Sequence, residues 1–239
     1  MQTSLPTNDL KNIIYDEISE KEHRAVAEEL GTEALFRQFK AGRISGEDVF
    51  NSAVDIGGGL AVLPESSEKS LMNNDENAHI HVLNEIVRAA EDRFATVMTD
   101  YGSTREKSLL MNMKNSDVTV IVCGQDKKGT ESIGEVLKNE DMDERRVFYV
   151  FARYIRTSRY SMSNLKHFFG MIANTNSGTI PLSPAFMDAM TGHRLIRFLR
   201  CFEVTEEDAD DPYFYSEVSR SAGKILNLGR KNYKNGEDK

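Results

Sequence analysis

The chain has 239 residues, of which 39% are hydrophobic and 28% charged, a composition ordinary for a globular protein with a substantial core. A net charge of -8 argues against a protein that coats nucleic acid over its whole surface. No apolar stretch approaches the roughly 20 residues that a membrane-spanning helix needs, and the amino terminus has no signal-peptide pattern. The two cysteines lack partners at metal-ligand spacing, which favours buried thiols in a reducing cytoplasm.

The negative net charge does not exclude a local basic patch. Five arginines fall within fifteen residues: Arg145, Arg146, Arg153, Arg156 and Arg159. A solvated loop and helix face is the favoured alternative.

The first ninety residues are predicted to be mainly helical. Apolar spacing and stop residues predict helices over 9–18, 20–30, 33–40 and 79–92, and Ser45 with Asp48 fits a capping box. Gly57, Gly58 and Gly59 precede a brief strand over residues 60–64. No G-x-x-x-x-G-K-[ST] motif follows the glycines or occurs elsewhere, so we interpret them as a plain turn rather than a phosphate loop.

Two short β-branched runs predict buried strands over residues 94–100 and 118–123, with a loop and a helical patch at 108–113 between them. Because the runs are continuously apolar, a parallel crossover is the economical arrangement. The first run ends in Asp100. An acid at the carboxyl end of a parallel strand lies where α/β folds bind their ligands, so Asp100 is the first candidate site residue.

Strands and helices alternate through the rest of the chain. Strands are predicted over 147–152 and 178–182, and helices over 130–137, 161–169, 185–190, 195–202 and 213–228. This order predicts an α/β fold with a mostly parallel, doubly wound sheet flanked by helices. We expect one domain over residues 1–228 and a disordered charged tail over 229–239.

Several motifs in this order resemble the ParA/MinD family of deviant P-loop ATPases, from about Leu35 onward. They are LAVLP at 60–64, FATVMTD at 94–100, the NSD turn before VTVIVC, VFYVFARY at 147–154 and GTIPLSPAFMDA at 178–189. The resemblance implies a P-loop NTPase-like fold in which FATVMTD is the Walker B strand. Within the family, the sequence resembles the atypical group that includes the TadZ/CpaE pilus-localisation proteins.

The resemblance also implies site residues, with ATP and Mg²⁺ as the cofactors. Asp100 would hold magnesium through water, with Gly102 near the phosphates, although relatives have their glycine at the position of Thr104. The loop against the adenine would contain Pro181, Leu182 and Ser183, and Arg153 stands where relatives often have Asn. The alternative role for Asp100 is to cap a nearby loop.

The family's KGG-x-GK-[ST] loop is absent, although its amides and lysine bind the phosphates. The resemblance therefore implies an incomplete domain without the first strand and P-loop, and a pseudo-ATPase that does not hydrolyse ATP by itself. The strand at 94–100 would then have an open apolar edge. Three accounts of this edge are open. The chain is a fragment of a longer protein, its sheet closes without the missing strand, or the edge is buried against a partner chain or in a homodimer.

The function implied is a cytoplasmic protein that positions or regulates a larger assembly, of the partitioning, septum or pilus-localisation type. Two alternatives are open: a fragment of an active ATPase whose P-loop lies upstream, and an interaction domain that binds no nucleotide.

Overall fold

A computed structural model describes residues 31–64, 76–102, 113–127, 130–131, 142–200 and 211–237. The chain forms two compact units, residues 1–109 with 192–197 and residues 110–191 with 198–239. The helices predicted over 9–18 and 20–30 lie outside the described residues, as does most of those at 108–113 and 130–137. The single domain over 1–228 stays a prediction.

The described residues of the first unit form three helices and a β-hairpin: α1 Thr32–Ala41, α2 Gly46–Ser52, β1 Val54–Gly57, β2 Leu60–Val62 and α3 Glu76–Glu91. The capping box predicted for α2 is confirmed. Asp48 N donates to Ser45 Oγ at 3.3 Å, and Ser45 N donates to Asp48 Oδ2 at 2.8 Å. Hydrogen bonds from Ser45 lower the pKa of the Asp48 carboxyl.

The three glycines form the hairpin turn between β1 and β2, which pair antiparallel. Gly57, Gly58 and Gly59 have φ values of 82°, 66° and 79°, a left-handed conformation that glycine adopts without steric cost. The predictions of a turn and of a following strand are therefore confirmed.

The core of the first unit lies where the three helices meet. Its buried apolar residues are Leu35, Val49, Val82, Ile86, Ala89 and Ala90.

The strand predicted over residues 94–100 is wrong, because this segment has irregular backbone and no strand assignment. A β-branched run forms a strand only when another strand satisfies its backbone groups, and no described strand pairs with it. Instead Phe94 N donates to Ala90 O at 2.9 Å, continuing the end of α3. Met98 is 89% exposed.

In the described part of the second unit, three parallel strands form a sheet in the order β3-β4-β5: Thr119–Cys123, Val147–Tyr154 and Ser177–Pro181. Helices α4 Met162–Phe168, α5 Pro184–Thr191 and α7 Pro212–Glu237 belong to it, while α6 Leu195–Arg200 is divided between the units. A parallel sheet flanked by helices in a mixed α/β fold confirms the predicted fold class.

Strand β4 is central and is buried along its apolar run from Val147 to Phe151. Alternate residues face opposite sides of the sheet. Val147, Tyr149 and Phe151 pack in one cluster with Leu165 of α4. A second cluster joins Ala189 of α5 to Phe198 and Phe214.

Helix α7 covers the outer edge of β5. Thr179 N donates to Ser221 Oγ at 3.1 Å, Ser221 Oγ donates to Thr179 O at 3.2 Å, and Lys224 Nζ donates to Ser177 O at 2.9 Å. These side chains satisfy backbone groups that an edge strand leaves unpaired. A Cβ at Gly178 would overlap Ser221, so glycine permits this close approach.

The predicted end of the last helix at residue 228 and the disordered tail beyond it are wrong as far as Glu237. Tertiary contacts extend the helix: a Cβ at Gly229 would lie 3.5 Å from Val118 Cγ2, and Asn232 Nδ2 donates to Asp117 O at 2.9 Å. In the part of the chain that the structure describes, no helix combines the length and apolar character needed to cross a bilayer.

Candidate functional site at the carboxyl edge of the parallel sheet

The carboxyl ends of β3, β4 and β5 meet at one edge of the sheet, because the three strands are parallel. Open α/β sheets bind ligands outside this edge. Three loops form it here: the loop after Cys123, the loop after Tyr154 and the loop after Pro181.

Gln125 ties the loop after β3 to the loop after β4. Its Nε2 donates to Ile155 O at 2.9 Å and to Tyr160 O at 2.8 Å, and its Oε1 accepts from Ile155 N at 2.8 Å. One amide side chain thus fixes the first residue and the end of the loop that contains Arg156. We did not predict Gln125; its position two residues beyond a predicted strand was the only available signal.

Arg153 lies at an irregularity near the end of β4, where the register with β5 shifts between Ala152 and Tyr154. Its φ of 53° is unusual for a residue with a side chain and costs on the order of 1 kcal/mol or more. Its side chain is exposed. Strained residues of this kind concentrate at binding sites, so the backbone conformation is a second reason to consider Arg153 a candidate site residue.

The three residues predicted in the loop after β5 adjoin that irregularity. Pro181 pairs with Tyr154 in the ladder, and Leu182 N donates to Tyr154 O at 3.1 Å. Ser183 is buried, and its Oγ accepts from Phe186 N at 3.2 Å in the first turn of α5. Leu182 is 46% exposed. The structure therefore brings Arg153, Pro181, Leu182 and Ser183 together at one edge.

Arg156 and Tyr213 add an exposed planar pair near this edge. The Arg156 Cζ lies 5.9 Å from the Tyr213 ring centroid, within the range of a cation–π contact. Burial, with smaller contributions from Glu217 and Tyr154, raises the pKa of the Tyr213 hydroxyl. The pairing joins residues 57 positions apart, so no local sequence pattern pointed to Tyr213.

The arginines considered as a basic patch are divided between the two ends of β4. Arg145 and Arg146 lie in a short helical turn before β4, and both pair with Asp143, at 2.8 and 4.0 Å. Arg153 and Arg156 lie at the other end of this eight-residue strand, about 25 Å away.

Asp100 and Gly102 lie together in the first unit. Asp100 Oδ1 accepts from Gly102 N at 2.8 Å, and Gly102 has a φ of 59°. This is the hydrogen bond expected of an aspartate that closes a tight turn. The magnesium role of Asp100 stays a prediction.

The Cys123 thiol, at the end of β3, is not suited to act as a nucleophile. Burial, with a smaller contribution from Asp126, raises the pKa of the Cys123 thiol to about 12. The thiol is therefore protonated at neutral pH, and its Sγ lies 3.6 Å from Val150 O. Among the described residues, no group of three or more His, Cys, Asp or Glu side chains is placed to hold a metal ion.

The chain was compared with known proteins. No family model matches the sequence, and no curated protein sequence matches it. A solved structure described as a ParA family ATPase from Chlorobium tepidum matches with a TM-score of 0.57 at 13% sequence identity. The match covers 78% of this chain and 70% of that one. The chain therefore has a ParA-like α/β fold.

The residues at the carboxyl edge fit only part of a nucleotide. An exposed arginine–tyrosine pair and an exposed leucine suit the flat face of a base. The sequence contains no Walker A motif, the element whose amides and lysine bind a triphosphate.

Proposed function

We propose that this chain is a ParA-like pseudo-ATPase that positions or regulates a larger assembly and that recognises the base of an adenine nucleotide. The observation that carries the proposal is the combination of a ParA-like fold with the absence of a Walker A motif. A ParA-like fold that lacks the phosphate-binding motif is better suited to binding a ligand than to hydrolysing ATP. The cysteines make a cytoplasmic location the simplest one.

The base-binding part of the proposal rests on the carboxyl edge of the sheet. Tyr213 is 38% exposed and Leu182 is 46% exposed, so both offer apolar surface to a planar ring. Arg156 stacks on Tyr213, and the Gln125 amide fixes the start of its loop through Ile155. Preorganised stacking groups lose little entropy on binding, so a base gains affinity there.

We expect the phosphates of the nucleotide to contribute little to its binding. A lysine and a run of glycine amides normally neutralise the phosphates, and this sequence has no motif that supplies both. We therefore expect affinity to depend on the base and hardly at all on the number of phosphates or on magnesium.

Fluorescence titration with an N-methylanthraniloyl-ADP probe, beside a phosphate-release assay, tests the proposal. Tyr213→Ala and Arg156→Gln should each weaken probe binding by about tenfold, equivalent to about 1.4 kcal/mol. Tyr233→Ala is the matched control, because Tyr233 is an exposed tyrosine of the same helix far from the carboxyl edge. No ATP turnover is expected.

Two outcomes would overturn the proposal, each in favour of an alternative. Steady ATP turnover that disappears in Asp100→Ala would indicate an active ATPase. Probe binding that is undetectable, or equal in wild type, Tyr213→Ala and Arg156→Gln, would leave an interaction domain that does not recognise a base at this edge.

A further inference from the structure

The charge of the second unit is unevenly distributed along its sequence. From Arg145 to Met187 there is no Asp or Glu, whereas six residues are Arg or Lys. The whole chain has a net charge of -8, so this stretch opposes the charge of the molecule. Three of the six fall within residues 153–160, the arginine loop, at intervals of three: Arg153, Arg156 and Arg159.

The guanidinium groups of the arginine loop are accessible. All three arginines are exposed, and within the part of the chain that the structure describes none of them forms an ion pair with a carboxylate. Arg156 stacks on Tyr213. Arg153 and Arg159 therefore carry the charge that is left for another partner.

Two large apolar side chains are exposed beside these arginines. Ile155, in the loop itself, is 47% exposed, and Phe168, at the end of α4, is 54% exposed. The Phe168 ring contacts the Tyr160 ring at the end of the loop, with centroids 6.4 Å apart. Gln125 Nε2 donates to the carbonyls of both Ile155 and Tyr160, which brings the two ends of the loop together. Apolar and cationic groups therefore share one small surface.

Hydrogen bonds fix the backbone of the arginine loop. Ser158 N donates to Ile155 O at 3.0 Å, which closes a turn within the loop. Asn164 Nδ2 donates to Arg159 O at 2.7 Å, and Met162 N donates to Tyr154 Oη at 3.0 Å. A partner therefore does not have to order this backbone, and a preformed surface loses less entropy on binding.

We propose that the arginine loop and Phe168 bind an acidic peptide segment of a partner protein, in which carboxylates flank a large apolar side chain. Guanidinium groups form strong, directional hydrogen bonds with carboxylates. Phe168 and Ile155 offer the apolar contact that the centre of a protein interface requires. A short segment places its few carboxylates on the loop alone, whereas a nucleic acid extends its phosphates over the rest of a negatively charged surface.

The small size of this surface sets the expected affinity. A contact made by one loop and one neighbouring side chain is well below the area of stable complexes, so we expect a Kd of about 10–100 μM. Its ion pairs are exposed and are screened by salt, so binding should weaken as salt rises. The contact requires no nucleotide and does not depend on the proposed function.

Fluorescence polarisation of the full chain with a fluorescein-labelled peptide, DEDLFEEL, tests the proposal. The peptide should bind at about 50 mM salt and at least about fivefold more weakly at about 500 mM. A second peptide of the same charge without apolar residues, DEDSSEES, should bind at least about tenfold more weakly than the first. The difference between the two peptides measures the contribution of the apolar contact.

Substitutions in the loop and in α4 locate the contact. Arg159→Glu and Phe168→Ser should each weaken DEDLFEEL binding by at least about fivefold. The matched controls are Arg88→Glu, at a side chain 75% exposed in the first unit, and Leu226→Ser, at a residue 48% exposed in α7. Neither control should change the affinity. Phe168→Ser should also leave binding of the N-methylanthraniloyl-ADP probe unchanged, so the two proposals fail separately.

Three results would overturn the proposal, provided that circular dichroism shows each variant to be folded. The first is the absence of DEDLFEEL binding at about 1 mM protein in low salt. The second is equal affinity for the two peptides, or for wild type, Arg159→Glu and Phe168→Ser. The third is a dodecathymidylate that binds more tightly than DEDLFEEL and is lost in Arg159→Glu, which would make this a nucleic-acid surface.

Discussion

The Ser221 hydroxyl takes the place of a neighbouring strand at the edge of β5: it accepts a hydrogen bond from Thr179 N at 3.1 Å and donates one to Thr179 O at 3.2 Å. Both groups are buried, so neither can turn to water instead. Together with Lys224, which donates to Ser177 O, this side chain attaches the last helix to the sheet.

Ser221→Ala should destabilise the second unit by about 1–3 kcal/mol, because it leaves a buried backbone donor unsatisfied. Urea unfolding measures the change. The matched control is Ser219→Ala, an exposed serine two residues earlier in α7, which should shift the free energy of unfolding by less than about 0.5 kcal/mol. Equal effects of the two substitutions would contradict the role assigned to Ser221.

Gly178→Ala should cost at least about 2 kcal/mol, since the added methyl group overlaps Ser221 and α7 must shift. Gly223→Ala is the contrasting control, because Gly223 lies in the interior of α7 with no neighbour near the added carbon. That change should stabilise the helix by about 0.5–1 kcal/mol. Thermal unfolding of dilute protein separates the two, and a tolerated Gly178→Ala would show that α7 lies farther from β5.

Tyr149→Phe should leave stability unchanged or raise it by about 1 kcal/mol. The Tyr149 hydroxyl is buried and has no hydrogen-bond partner among the described residues, so removing it removes a desolvation penalty. Its burial also raises the pKa of the hydroxyl to about 12. Chemical unfolding below pH 9 isolates the effect; a loss of more than about 1 kcal/mol would mean that the hydroxyl has a partner.

The free energy of unfolding should fall at alkaline pH, because the folded chain holds the Cys123 thiol in its neutral form. Burial raises the thiol pKa in the folded chain from 9.0 to about 12, so the unfolded chain releases this proton first as pH rises. The contribution is complete below pH 9 and is lost progressively between pH 9 and 12, by at most about 1.4 kcal/mol per pH unit. Cys123→Ala should show a flatter profile between pH 8.5 and 10 in urea unfolding. Parallel profiles for the two proteins would contradict the burial of a neutral thiol.

The sequence predicted those elements that depend on local pattern. The run at 147–152 is continuously apolar, and β4 is the central strand buried on both faces. The glycine turn and the Ser45 capping box follow from chemistry within a few residues. The segment 94–100 has the same kind of composition as β3, yet it is irregular here, because strand formation depends on a pairing partner that composition does not reveal.

The candidate site was predictable only in part, for the same reason. Arg153, Pro181, Leu182 and Ser183 lie at or just beyond the ends of strands whose parallel order brings them to one edge. Helix α7 was predicted too short, because Asn232 and Gly229 are held by residues more than a hundred positions earlier. The stacking of Arg156 on Tyr213 depends on how that helix packs, which local pattern does not determine.

The central claim is that this ParA-like fold recognises a base without a phosphate site, and isothermal titration of the wild type with adenosine and with Mg²⁺-ATP tests it most directly. We predict dissociation constants within about tenfold of each other, and the same value for ATP with and without magnesium. Mg²⁺-ATP binding more than about a hundredfold tighter than adenosine, or no adenosine binding at all, would contradict it.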